Sequence, residues 1–193
     1  MFLGDLDPEA VGPSIVFATH YEPTPIGDAT RLLDAVPIEA SAATFVDLGA
    51  GMGRVILLAA LRTYRAVVGI ELSPALAQIA RDNLAAFDPP LPGTRVRVLR
   101  GDARTYRFPR GDLVVYLYNP FRAEVLAPVV DHLIRGPATR DVVIVYHTPL
   151  ERAVIDETGA FDIVEDLGFG LVYRRHRPPT AAAAGLSRPP SSP

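Results

Sequence analysis

Apolar residues occur along the chain in two kinds of run, and the two kinds alternate. Short continuous runs are typical of buried strands, and they cover residues 43–48, 66–70, 113–118 and 142–146. Runs with helical spacing predict helices over residues 27–36, 54–61 and 123–134, a helix that begins at Ser73-Pro74 and stops at 88–90, and a short helix over 150–157. Residues 95–99 alternate in polarity and predict a more exposed strand, and 161–164 and 169–173 predict a closing pair of strands around Gly168.

This alternation predicts the fold class. Strands separated by helices pair in parallel through right-handed crossovers, and helices then cover both faces of the sheet. Two successive strands without a helix between them indicate an antiparallel hairpin at one edge. We therefore expect an α/β, doubly wound, mostly parallel seven-stranded sheet, with its ligand at the carboxyl ends of the strands.

The amino-acid composition excludes several kinds of site and leaves the predicted fold class unchanged. The 193 residues carry a net charge of −3 and no cysteine, which excludes disulfides, thiol nucleophiles and cysteine-bound metals. No apolar stretch is long enough to cross a membrane, and the first seven residues are acidic rather than basic, unlike a secretory signal, so we expect a cytoplasmic protein. The chain has no excess of basic residues, which argues against binding to duplex nucleic acid. Residues 1–25 are predicted to form an N-terminal arm, 26–176 the folded domain and 177–193 a disordered tail.

A glycine-rich turn follows the first strand. Asp47 ends the strand, and Gly49, Gly51 and Gly53 come next at alternate positions. Glycines there allow a sharp turn and let a ligand approach the main chain closely. A dinucleotide fingerprint counted from Gly49 would place its third small residue at Arg54, so the register argues against a nicotinamide oxidoreductase.

Two acidic positions extend this candidate site. Glu71 ends the second strand, where a carboxylate accepts hydrogen bonds from two neighbouring ribose hydroxyls. Asp102 and Ala103 follow the third strand, where an acid can accept from an adenine amino group. The three strand ends together predict a site for an adenine nucleoside.

These residues resemble those of class I methyltransferases that use S-adenosylmethionine. Residues 47–53 match the D-x-G-x-G-x-G motif of that family, Glu71 its ribose-binding acid, and residues 101–103 its adenine-contacting motif. The resemblance covers residues 43 to about 175 and implies S-adenosylmethionine as cofactor. It implies these cofactor-binding residues: Asp47, Gly49, Ala50, Gly51, Gly53, Glu71, Leu72, Asp102, Ala103 and Asn119.

The fourth strand ends in a candidate acceptor motif, Asn119-Pro120-Phe121. It resembles the [Asn/Asp]-Pro-Pro-[Tyr/Phe] motif of methyltransferases that act on amino groups. This sequence has one proline where that motif has two. A neutral amine needs its N–H groups accepted so that its lone pair faces the methyl group, and the Asn119 side-chain oxygen can do this. Positive charge then develops on nitrogen, so aromatic faces suit the lining better than cations do.

A second resemblance concerns the segment before the first helix. Pro23-Thr24-Pro25 is stiff and extended, and it looks like the Pro-Thr-Pro segment of some small lysine methyltransferases. By that resemblance Tyr21 and Thr24 close over the methionine end of the cofactor. The preferred acceptor is therefore an amine nitrogen, with a protein lysine as the expected source.

Other functions remain open at this stage. The acceptor is alternatively a small molecule or RNA, and a non-catalytic cofactor-binding domain would show the same nucleoside motifs. The four histidines are too scattered to predict a metal site, and His147 is a candidate general base because it follows the fifth strand on the ligand edge. The sequence does not indicate the oligomeric state.

Overall fold

The computed structural model describes residues 23–88, 94–119 and 121–176. The described chain has five α-helices: α1 Ile26–Asp34, α2 Arg54–Ala60, α3 Pro74–Ala85, α4 Ala123–Ile134 and α5 Ala153–Asp156. It has seven strands: β1 Thr44–Leu48, β2 Ala66–Glu71, β3 Arg95–Arg100, β4 Leu113–Tyr118, β5 Val142–His147, β6 Phe161–Asp166 and β7 Gly170–Arg175. Two 3₁₀ turns, Ala40–Ala42 and Ala103–Thr105, were not predicted.

The strands form one sheet in the order β3-β2-β1-β4-β5-β7-β6. The first five strands of this order are parallel, and β7 pairs antiparallel with both β5 and β6. The predicted fold class is therefore confirmed, including the antiparallel edge hairpin. The strand order reverses between β1 and β4, which is where a doubly wound sheet opens a crevice for a ligand.

Alternating side chains along the strands build two cores, one on each face of the sheet. Phe45 and Tyr116 belong to the core under α1, α2 and α3. Leu48, Leu117 and Tyr146 belong to the core under α4 and α5. The middle strands are buried along almost their whole length, as expected for parallel strands covered on both faces.

Local signals place the element ends. The Ser73 hydroxyl accepts from the Leu76 N–H at 3.3 Å, and Pro74 occupies the first position of α3, as predicted. Gly168 has a φ of 80° in the turn between β6 and β7. That left-handed conformation favours glycine, and the residue sits where the sequence predicts the hairpin turn.

The edges of the sheet differ in charge. Edge strand β3 exposes Arg95 and Arg97, and edge strand β6 exposes Glu165 and Asp166. A register irregularity between Ile163 and Glu165 also interrupts the pairing of β6 with β7. Charged side chains and bulges are the usual means by which an exposed edge avoids pairing with another chain.

The predicted bounds were wrong for the short helix and for the two closing strands. The helix expected over 150–157 is a single turn, because Thr148 and Pro149 form a tight turn in which the Leu150 N–H donates to the Thr148 carbonyl at 2.8 Å. Leu150 is 72% exposed, so it adds no buried face that would extend the helix. Strands β6 and β7 are longer than predicted, because cross-strand pairing of Asp166 with Leu171 recruits polar residues that show no apolar pattern.

The arm over residues 1–22 and the tail over 177–193 lie outside the described residues. Within the described part of the chain, no helix is long and apolar enough to cross a membrane.

Candidate functional site

The glycine-rich turn joins β1 to α2 at the carboxyl edge of the sheet. The N–H groups of Gly49 and Ala50 both donate to the Ile70 carbonyl, at 2.9 and 3.1 Å, which ties the turn to the end of β2. The three glycines at 49, 51 and 53 have φ values of 83°, 53° and 86°. A Cβ on Gly53 would also lie 3.1 Å from the Ala80 Cβ in α3. The local backbone therefore requires glycine at these positions.

Glu71 links the glycine turn to the start of α3. Its Oε2 accepts from the Gly51 N–H and its Oε1 from the Ser73 N–H, each at 2.8 Å. The side chain is buried, and burial raises the pKa of its carboxyl while those two N–H groups oppose the rise. Each carboxylate oxygen has a second lone pair, which leaves Glu71 able to accept from two ribose hydroxyls.

Asp47 lies beneath the same turn and is 3% exposed. Burial raises the pKa of its carboxyl to about 8, and repulsion by Glu71 contributes to the rise. Two buried acids thus sit close enough to repel each other. A cationic ligand at this site would relieve a cost that the fold alone imposes on both groups.

Asp102 and Ala103 lie beside Glu71, since the Gly101 N–H donates to the Glu71 carbonyl at 3.0 Å. The Asp102 side chain caps a 3₁₀ turn by accepting from the Arg104 N–H at 2.9 Å. It also pairs with the Arg104 guanidinium at 2.9 Å. Ala103 is buried and Leu72 is half-buried, so an apolar surface adjoins the acid. The arginine partner of Asp102 was not anticipated from the sequence.

Asn119 follows β4 at the same edge, two residues beyond the pairing of Leu117 with Leu48. Its φ is 38°, an unusual value outside glycine, although asparagine tolerates it better than most residues. Phe121 is 8% exposed, and Tyr118 is half-buried. The structure therefore brings Asn119 and Phe121 to the same edge as the glycine turn, while Pro120 lies outside the described residues.

The Pro-Thr-Pro segment packs onto the glycine turn. The Arg54 guanidinium donates to the Thr24 carbonyl at 2.8 Å, and Thr24 is buried. The Thr24 side chain also neighbours the Tyr116 phenol, whose pKa is raised by burial and then by Asp47, with Thr24 opposing the rise. Tyr21 lies outside the described residues. The bond from Arg54 to Thr24 was not predicted from the sequence.

His147 is more deeply enclosed than a base facing open solvent. It is 3% exposed, its ring centroid lies 4.2 Å from that of Tyr118, and its Nε2 lies 3.5 Å from an Asp28 carboxylate oxygen. Asp28 belongs to the first turn of α1 and was not predicted as part of the site. The pair joins the helix after the Pro-Thr-Pro segment to the end of β5.

Residues 45–136 match a protein family described as a methyltransferase domain. An RNA methyltransferase from Salinibacter ruber, solved with S-adenosyl-L-homocysteine, is 26% identical. The match covers 82% of this chain and 95% of that one, with a TM-score of 0.56. These findings identify an S-adenosylmethionine-dependent methyltransferase. No curated protein matches its sequence.

Other structural neighbours of this methyltransferase share the fold at lower identity. The 23S rRNA methyltransferase ErmE is 17% identical, with 81% of this chain and 69% of that chain covered and a TM-score of 0.58. The mitomycin 7-O-methyltransferase MmcR is 15% identical, with 78% and 53% covered and a TM-score of 0.54. Structures similar to this methyltransferase thus belong to enzymes that are named for very different acceptors.

The charges of the site suit the cofactor of this methyltransferase class. S-adenosylmethionine is positively charged at its sulfonium and ammonium groups, and burial raises the pKa values of the two acids Asp47 and Glu71 at this site. A bound cation stabilises an ionised carboxylate and lowers its pKa again. The Glu71 carboxylate, the glycine turn and the apolar residues Leu72 and Ala103 also suit the ribose and adenine of such a ligand.

Proposed function

We propose that the carboxyl edge of β1, β2 and β4 holds S-adenosylmethionine through the residues singled out above. Glu71 accepts from the ribose hydroxyls, and Asp102 and Ala103 adjoin the adenine. The backbone of Gly49, Ala50, Gly51 and Gly53 approaches the methionine portion, and Leu72 covers the nucleoside. When bound, this cofactor supplies a methyl group that a sulfonium has already made electrophilic.

We further propose that the acceptor is an amine nitrogen, and that a protein lysine is its source. The observation that carries this proposal is Asn119, held in a left-handed conformation between Tyr118 and Phe121 at the edge of the site. That conformation turns the chain sharply at the end of β4, where a side-chain amide oxygen accepts an amine N–H. The two aromatic residues beside it suit the positive charge that develops on nitrogen.

Closure of the site is assigned to the Pro-Thr-Pro segment. Arg54 holds the Thr24 carbonyl, so the segment and the glycine turn share one anchor. We propose that Thr24, with Tyr21 ahead of it, excludes water from the methionine end of the cofactor. Water exclusion strengthens every polar interaction within the site.

A second candidate acceptor is a nitrogen of an RNA base. The specific observation in its favour is the RNA methyltransferase that is 26% identical over 82% of this chain. A base amine makes the same demand on Asn119 as a lysine amine does. The two candidates therefore differ in what surrounds the site rather than in the chemistry at Asn119.

The test uses cofactor labelled on its methyl group, added with the protein to a cell extract, followed by separate digestion with protease and with ribonuclease. Label released from protein as methyl-lysine supports a protein lysine as the acceptor. Label released as a methylated nucleoside instead identifies RNA as the acceptor. Asn119→Ala is then compared with the wild type in single turnovers at saturating cofactor. We expect the transfer rate to fall by about a hundredfold, because the amine loses its positioning group.

Gln78→Ala is the matched control, since it removes an exposed amide whose hydrogen bonds within the described structure are to Arg81 and Asp82 of its own helix. The control variant is expected to keep the wild-type rate. If Asn119→Ala also keeps the full rate on the true acceptor, the role proposed for Asn119 is wrong.

A further inference from the structure

A second pocket, of about 270 Å³, lies at the amino-terminal edge of the sheet. The segment after the 3₁₀ turn at 103–105, the end of α4 and the loop before β5 enclose it. The glycine turn lies at the other end of the strands. Strands of six residues separate the two edges by about 20 Å, so this pocket is distinct from the cofactor site.

The lining of this pocket is cationic and aromatic. It includes Arg107, Arg135, Arg140 and His132. Tyr106 and Phe108 also line it, with their ring centroids 5.3 Å apart in an edge-to-face arrangement. Within the described residues that form the lining, there is no aspartate or glutamate.

Arg140 forms the floor of the pocket and is 6% exposed. One of its terminal nitrogens donates to the Pro109 carbonyl at 3.0 Å, whereas its Nε has no hydrogen-bond partner among the described residues. The Arg175 cation acts against its charge and Asp112 favours it, and the Asp112 Oδ1 also accepts from the Asp141 N–H at 2.9 Å. A guanidinium has five N–H donors, so this buried cation is under-satisfied within the described structure.

Arg175 fixes the backbone around this floor. Its guanidinium donates to the carbonyls of Leu133, Pro137 and Arg140, at 2.7, 2.6 and 2.6 Å. A Cβ at Gly136 would overlap the Arg140 guanidinium, which shows how closely that side chain lies against the turn. The floor of the pocket is therefore held in place before any ligand arrives.

The remaining basic side chains of the lining are at the rim. Arg107 and His132 are exposed, and Arg135 is exposed while it pairs with Asp131 at 2.9 Å. An exposed ion pair between neighbouring turns of one helix contributes little to stability, so the arginine can leave it for a partner that binds more strongly. Arg135 is thus available to an anion that enters the pocket, at small cost.

We propose that this pocket binds a phosphate group. Arginine recognises phosphate through paired N–H donors. The three arginines around this cavity supply more N–H donors than the one carboxylate that pairs with Arg135 can accept. The aromatic pair at 106 and 108 gives an adjoining base a surface to stack on. A phosphate of a mononucleotide and a phosphate of an RNA backbone offer the same chemistry here. The proposal does not depend on the identity of the methyl acceptor.

The test titrates the whole protein with inorganic phosphate, with uridine and its 5′-monophosphate, and with a twelve-nucleotide single-stranded oligouridylate, at low and at moderate salt. We expect saturable binding of phosphate and of the monophosphate, and binding of uridine that is at least tenfold weaker than that of the monophosphate. If the oligonucleotide binds at least tenfold more tightly than the monophosphate and loses affinity steeply with salt, the source is an RNA backbone. Equal affinities identify a small phosphate compound as the source.

Two exposed substitutions locate the binding. Arg107→Gln and Arg135→Gln are each expected to weaken phosphate binding about tenfold, because each removes a charge-assisted contact. The matched control is Arg95→Gln, which removes one exposed arginine from the far edge strand β3. Cofactor affinity is measured on all three variants and should remain unchanged, which separates this pocket from the site for S-adenosylmethionine.

Two results overturn the proposal. One is the absence of saturable binding of phosphate or monophosphate by the wild type at low salt. The other is equal weakening by all three substitutions, which would show that net charge rather than this pocket attracts the anion.

Discussion

Asp47→Asn is the substitution that most directly tests the electrostatics of the cofactor site. The Asp47 carboxyl is buried, and its pKa is raised to about 8 from an ordinary value of 3.8. An amide of nearly the same shape keeps the volume of the side chain but cannot ionise. The substitution therefore isolates the cost of keeping an ionisable acid under the glycine turn.

The sign and size follow from the two pKa values. The unfolded chain releases the Asp47 proton near pH 3.8, and the folded protein retains it until about pH 8, so rising pH favours unfolding across that window. Each pH unit within the window lowers the free energy of unfolding by about 1.4 kcal/mol. Between about pH 5 and about pH 7 the wild type should lose about 3 kcal/mol that the Asn variant keeps.

The assay is urea unfolding of both proteins without cofactor, followed by circular dichroism at several pH values. The packing cost of the amide does not depend on pH, so the slope of the stability difference against pH is the diagnostic quantity. Glu157→Gln provides the control, since it neutralises an exposed acid at the end of α5 and should leave the pH dependence of the wild type unchanged. Relief of repulsion at Glu71 acts in the same direction as the main effect.

A stability difference between Asp47→Asn and the wild type that stays constant from about pH 5 to about pH 8 would refute this reasoning. It would mean that Asp47 is ionised in the folded protein at little cost. The free energy of unfolding of the variant minus that of the wild type should rise with pH, and a fall in this quantity as the pH rises would be equally incompatible with a raised pKa.

Three further predictions concern the elements around the site. Arg54→Gln removes the bond to the Thr24 carbonyl and should speed cofactor dissociation about tenfold in stopped-flow experiments. An unchanged rate would mean that the Pro-Thr-Pro segment does not close the cofactor site. Gly69→Ala places a Cβ 2.9 Å from that of Ala50 and should lower the free energy of unfolding by about 2 kcal/mol, and a wild-type urea midpoint would contradict it. Ser73→Ala removes the cap of α3 and should cost about 1 kcal/mol in the same assay, whereas no loss would mean that water or a neighbour replaces the hydroxyl.

The fold was predictable because each strand and helix of the parallel region carries its own apolar signature. The strand at 113–118 and the helix at 123–134 were predicted to the residue. The elements after β5 were less predictable, since their limits depend on pairing between distant residues. Asp166 is a strand residue only because Leu171 lies opposite it. No local pattern marks such a position.

The candidate site was predictable as a set of strand ends, but its internal contacts were not. Parallel strands bring their carboxyl ends together, so Asp47, Glu71 and Asn119 could be assigned to one edge from the sequence. The sequence did not reveal that Glu71 holds the glycine turn, or that Asp28 pairs with His147. These contacts depend on side-chain directions that periodicity does not specify. The individual cofactor contacts remain predictions.

The two edge strands give this molecule a permanent charge separation. Arg95 and Arg97 lie at one side of the sheet and Glu165 and Asp166 at the other. Six inter-strand spacings separate these two strands by about 30 Å, so the described sheet presents a basic strand at one side and an acidic strand at the other. The protein should therefore adsorb in opposite orientations to cation and anion exchangers at neutral pH. An immobilised enzyme can thus be tethered by either edge simply through the choice of matrix.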